Sequence, residues 1–247
     1  GDAHGLDEGQ AVTKVVLAVL RQNSLPNGSN GNGYEASEDD SSSAQAREAE
    51  RDRDTWAKVG VLVNELARPA LFLNLPTTNT ESYGAPLGEP AYASLRSLLR
   101  TSPPWRIADC RIYVCENPNL VAIAADHLGS RCAPLVCTEG MPGAAQRCLL
   151  SQLTQAGARL LYHGDFDWPG IRIGNHVMRT HGARSWRFSA ADYVAATEML
   201  SGQGHPLVGT GTEALWDKNL TTIMQKRRIA IPEEALAASL LQDLNSG

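Results

Sequence analysis

No apolar run in the 247 residues approaches the ~20 needed to span a bilayer, which excludes a membrane-spanning helical protein. No basic stretch followed by an apolar one opens the chain, so secretion is not indicated. The five cysteines (Cys110, Cys115, Cys132, Cys137, Cys148) are odd in number and lack a close C-x-x-C pair. A zinc ribbon is therefore not expected, and the set suits a reducing cytoplasm better than a disulfide scaffold. Positive charge is not in excess either: the formal net charge is −5, which argues against holding DNA by bulk electrostatics alone.

The acidity is concentrated at one end. Residues 1–57 carry 11 acids and 5 bases, a balance of −6; residues 58–247 carry 16 acids and 17 bases, a balance of +1. The length accommodates one core easily, and it also allows two small units. Residues 10–22 read as an apolar-faced helix. Asn23 to Ser43, rich in Gly, Asn and Ser with Glu38-Asp39-Asp40, buries too little apolar surface to offset its ordering entropy, and reads as a surface loop or flexible insertion. Residues 44–67 return to helix, 70–75 to a strand-like run, and 89–100 to helix ended by Pro103-Pro104. These make a mostly helical N-terminal extension over 1–104. The chain opens on Gly1, and the expectation is a piece of a longer protein.

From residue 105 the pattern is regular. Strands are expected at 111–115, 134–137, 159–163 and 185–188, and helices at 118–128, 143–155, 169–180 and 190–200. Apolar strands alternating with helices at this spacing give an α/β fold: a four-stranded parallel sheet flanked by helices over 105–200. Two further helical stretches, 212–225 and 232–244, make a helical C-terminal extension over 201–247.

Ligands of an open parallel sheet bind at the carboxyl ends of its strands. The first strand delivers Glu116 there, the second Glu139, the third Asp165 and Asp167. Alternation across Phe166 aims both aspartates to one side of an extended segment. Neighbouring carboxylates repel unless a divalent cation lies between them, and Mg²⁺ takes oxygen ligands while keeping sites for water and phosphate. The plain alternative is that they are loop acids, with Asp167 capping the next helix. From Trp168 to Ala191 there is no acid, and Arg172, Arg179, Arg184 and Arg187 lie there, which suits a polyanion. Lys226-Arg227-Arg228 is a second candidate phosphate contact, or a solvated cluster.

The segments Val114-Cys115-Glu116-Asn117-Pro118, Val136-Cys137-Thr138-Glu139-Gly140-Met141-Pro142 and Gly164-Asp165-Phe166-Asp167-Trp168-Pro169-Gly170-Ile171 resemble a Toprim domain of the topoisomerase VI A and Spo11 type. With Gly1-Asp2-Ala3-His4-Gly5-Leu6-Asp7, Trp216-Asp217 and Glu233-Glu234, the chain most resembles the C-terminal part of JetD-like subunits of bacterial Wadjet (SMC-type) plasmid-defence systems. The resemblance implies a cytoplasmic Mg²⁺- or Mn²⁺-dependent endonuclease that cuts double-stranded DNA with an SMC-type motor complex. It implies Glu116, Asp165 and Asp167 as catalytic metal ligands, with Glu139 serving a second ion. Arg172, Arg179, Lys226, Arg227 and Arg228 are the expected DNA contacts. Cutting both strands needs two sites, hence a homodimer or two copies on the motor.

Two other classes compete. One is a non-catalytic DNA- or SMC-docking module with vestigial acids. The other is a haloacid dehalogenase-like phosphatase, which also uses D-x-D but on the domain's first strand; here the pair follows the third.

Overall fold

The computed structural model describes residues 11–22, 64–77, 85–100, 104–200 and 204–245. The chain divides into two compact units, residues 1–67 and 68–247. In the first, helix α1 (Ala11–Gln22) matches the expected amphipathic stretch, burying Thr13 and Leu17 and exposing Val15 and Val19. The readings for 23–43 and for most of 44–67 fall outside the described residues, as do His4 and Asp7.

The second unit is built on one sheet. Its strands are β1 (Ala70–Leu73), β2 (Ala91–Ala93), β3 (Arg111–Cys115), β4 (Leu135–Cys137), β5 (Arg159–Tyr162) and β6 (Arg184–Ser185). The spatial order is β2-β1-β4-β3-β5-β6. The four strands from β4 to β6 run parallel, and β1 and β2 add antiparallel at one edge. The fold is thus mixed α/β, with a six-stranded, mostly parallel sheet and eight helices among the described residues. The sheet reaches beyond 105–200 because Ala70-Leu71-Phe72-Leu73 is buried at every position and covers the edge that β4 would otherwise expose. The stretch 89–100 is not one helix. It gives β2 and then α2 (Leu95–Arg100), with Ser94 between them accepting the Ser97 N–H.

Each parallel step requires a crossover, supplied by α3 (Pro118–Leu128), α4 (Ala144–Gln155) and α5 (Trp168–His181). From β3 the chain steps sideways to β4, then back past β3 to β5 and on to β6. With right-handed crossovers, α3 lies on one face and α4 and α5 on the other. The neighbouring strands β3 and β5 therefore send their connections to opposite faces, which opens a crevice at their carboxyl ends. Buried Ile112, Val114, Leu135, Val136, Leu160 and Tyr162 fill the two faces of this centre.

Three further helices follow. They are α6 (Ala190–Met199), begun by a Ser189–Asp192 capping box, α7 (Lys218–Arg227), capped by Asp217, and α8 (Ala237–Leu244). The first C-terminal helix starts at 218 rather than 212 because the Asp217 side chain accepts the Asn219 N–H and fixes the start there. The short strands β7 (His205–Pro206), before α7, and β8 (Ile229–Ala230), after it, pair antiparallel. The chain then returns to the sheet: Ile231 bridges Phe166, a 3₁₀ turn spans Glu233–Leu236, and Asp243 of α8 pairs with Arg187 at 2.6 Å. No helix among the described residues is long and apolar enough to cross a membrane.

Candidate metal centre

Glu116 is the residue after β3, and Asn117 then caps α3 by accepting the Asn119 N–H at 3.0 Å, with Pro118 opening the helix. Asp165 and Asp167 lie in the segment between β5 and α5. Asp167 caps α5, its Oδ1 accepting the Gly170 N–H at 2.6 Å. Gly170 has to be glycine, since a Cβ there would collide with the Asp165 carbonyl. The crevice between β3 and β5 thus receives Glu116 from one side and Asp165 and Asp167 from the other.

The two sides meet. Glu116 Oε2 accepts the Asp165 N–H at 3.3 Å. A Cβ on Gly164 would lie 2.8 Å from that same oxygen and 2.7 Å from the Tyr162 hydroxyl, so glycine at 164 is what lets Glu116 cross to β5. Burial, then the Asp165 charge, pushes Glu116 up to about 7; Asp167 and Glu234 add to the rise. Burial, opposed by the Glu233 N–H, leaves Asp165 raised to about 6, with Asp167 and Glu234 again repelling it. Glu116, Asp165 and Asp167 therefore act on one another electrostatically.

Two acids from the C-terminal extension join them, and sequence reasoning gave them no role. Glu233 is fully buried and accepts the Asn117 N–H at 2.7 Å and the Glu116 N–H at 3.1 Å. Its own N–H donates to Asp165 Oδ1 at 2.7 Å. Glu234 Oε1 accepts from the side-chain amides of Asn117 at 2.6 Å and Asn119 at 3.1 Å. The one available signal was a Glu-Glu pair just after the apolar Ile229-Ala230-Ile231. Glu139 stands differently. It occupies the left-handed region after β4 (φ 51°), and its carbonyl accepts from Arg68 at 3.1 Å; the charges acting on Glu116 are those of Asp165, Asp167 and Glu234.

The donor set suits a hard divalent cation. Glu116 Oε1, Asp165 Oδ2 and Asp167 Oδ2 accept no hydrogen bond among the described residues, and all are oxygen donors. The Tyr162 hydroxyl beside them is buried and unpartnered. The arrangement is not preassembled: among the described residues no three His, Cys, Asp or Glu side chains stand together in cation-holding geometry. Each acid is instead turned to a backbone N–H, as mutually repelling carboxylates are when uncompensated.

Of the expected DNA contacts, Arg172 and Arg179 are exposed on α5, and Arg172 reaches the Thr212 hydroxyl at 3.4 Å. Lys226 is exposed on α7. Arg227 is held by Glu198 at 3.2 Å and by the Thr197 hydroxyl. Arg228 is exposed but ends α7 in the left-handed region (φ 56°).

A family model described as "Protein of unknown function C-terminus (DUF2399)" matches residues 91–244. A second, "Protein of unknown function N-terminus (DUF3323)", matches residues 1–77. No curated protein matches the chain.

Proposed function

The chain belongs to the family described as "Protein of unknown function C-terminus (DUF2399)", a description without an activity, and from its acidic crevice we propose a divalent-cation-dependent DNA endonuclease of the Toprim type. The observation that carries this reading is the meeting of Glu116 and Asp165 across the β3–β5 crevice, with Asp167 beside them. Buried carboxylates held at raised pKa are costly, and a bound cation offsets that cost. Glu116, Asp165 and Asp167 would hold the ion. Bound Mg²⁺ or Mn²⁺ supplies an activated water and neutralises charge on the scissile phosphate. Glu233 fixes the backbone that carries Glu116 and Asn117, and the acid-free helix α5 offers Arg172 and Arg179 to the phosphates that follow.

The resemblance to JetD-like subunits adds partners to the proposal: double-stranded DNA, an SMC-type motor complex, and a second copy of the chain to cut the second strand, in the cytoplasm. The vestigial-docking alternative is disfavoured by the intact set of three acids, Glu116, Asp165 and Asp167, which repel one another at the strand ends. The test is incubation of the purified chain with supercoiled plasmid in Mg²⁺, Mn²⁺ or EDTA, with and without the motor complex. Cleavage dependent on the ion and absent in Asp165→Asn is the expected result. Cleavage that survives in EDTA or in that variant overturns the proposal.

A further inference from the structure

We infer that Tyr162 is a positioning residue: its hydroxyl, unpartnered in this structure, takes the nearby Glu116 carboxylate as its acceptor after a small turn of that side chain, and holds it toward the crevice. The inference rests on the cation-site reading above. Tyr162 pairs with Val114 across the parallel β3–β5 register, so the two side chains stand on the same face. Glu116 and Gly164 lie two residues beyond them, just past the ends of the strands, and Gly164 leaves a gap where a side chain would stand. Into it project the two oxygens, 2.7 Å (Tyr162) and 2.8 Å (Glu116) from the point a Gly164 Cβ would occupy.

The hydroxyl is fully buried and has no hydrogen-bond partner. An unmade hydrogen bond of that kind is costly, and a native structure retains few of them. The ring is fixed: its edge meets Phe188 at 6.0 Å between centroids. The hydroxyl therefore offers its proton at a set place, and the acceptor that faces it across the Gly164 gap is the Glu116 carboxylate. Burial also holds the phenol in its protonated form, and so as a donor; Tyr162 is enclosed and does not serve as a nucleophile. Donors behind a ligating carboxylate orient it, and their loss weakens metal binding about tenfold or more.

The test uses Tyr162→Phe, which keeps the ring and removes only the oxygen. In metal-free protein at pH 8, ¹³C-labelled glutamate carboxyls are read by NMR, with the Glu116 resonance identified by its loss in Glu116→Gln. Mn²⁺ affinity is measured by titration calorimetry on the same proteins. Expected are a displaced Glu116 resonance and a loss of about tenfold in Mn²⁺ affinity. Either the resonance or the affinity left unmoved overturns the inference. If the wild-type chain binds no Mn²⁺, the cation reading fails, and the resonance alone decides whether Tyr162 holds Glu116.

Discussion

Asp165 does two things at once, and its variants separate them. Its Oδ1 accepts the Glu233 N–H, while its charge repels Glu116. Asp165→Asn keeps an acceptor and removes the charge, so it should lose cleavage at wild-type stability or better. Asp165→Ala also strands the Glu233 N–H and should cost about 1–2 kcal/mol in chemical denaturation. Equal stability of the two variants would mean that the hydrogen bond contributes nothing. Glu116 carries the pH dependence. Its folded pKa of about 7 lies above the ordinary value of 4.5, so the folded state holds the proton more tightly. Stability from this group is full below pH 4.5 and is lost as the pH rises to about 7. Comparing melting temperatures at pH 5 and pH 8 without metal, Glu116→Gln should remove part of the fall seen in wild type. A divalent cation should do the same in the wild-type protein. A wild-type curve that falls no more than that of the variant would count against the buried, repelled carboxylate.

At the scale of elements, α5 begins where the chemistry does. Asp167 is its cap, which is the plain alternative that the sequence reading kept open, and it is also a member of the acidic group. Asp167→Asn should retain the cap and the thermal stability but lose cleavage. Asp167→Ala should lose both, with about 1 kcal/mol of stability. Full activity in the Asn variant would reduce Asp167 to a cap. The C-terminal arm is the second decisive element. Glu233 holds the start of α3 through two backbone N–H groups, in a place closed to water. Glu233→Ala leaves those donors unpaired and should cost about 2–3 kcal/mol while weakening Mn²⁺ binding. A variant as stable as wild type would show the arm to be incidental.

At the scale of the whole molecule, residues 58–247 have a balance of only +1, while the first 57 are at −6. Isolated chain should bind DNA weakly, with each phosphate contact adding about −0.9 to the slope of log affinity against log salt. Charge reversal at Arg172, just beyond the aspartates on α5, should lower cleavage more than reversal at Lys226, exposed on α7. Equal losses would make α5 a solvated face.

The sequence determined most of the elements by itself, because their signals are local. Pro118 and Asn117 start α3, Gly182 in the left-handed region ends α5, and short apolar runs between them could only be buried strands. It also brought Glu116, Asp165 and Asp167 to one edge, since in a right-handed parallel sheet every strand ends on the same side. What lies near in space but far along the chain was decided only by the tertiary structure. The pairing of β1 with β4 joins residues some sixty positions apart, and no periodicity records it. Glu233 reaches Glu116 across 117 residues, and its role comes from two backbone N–H groups that any sequence at those positions would offer. Tyr162 and Gly164 acquire meaning only because Glu116 crosses the gap between two strands, a contact set by sheet register and burial and not by either segment alone.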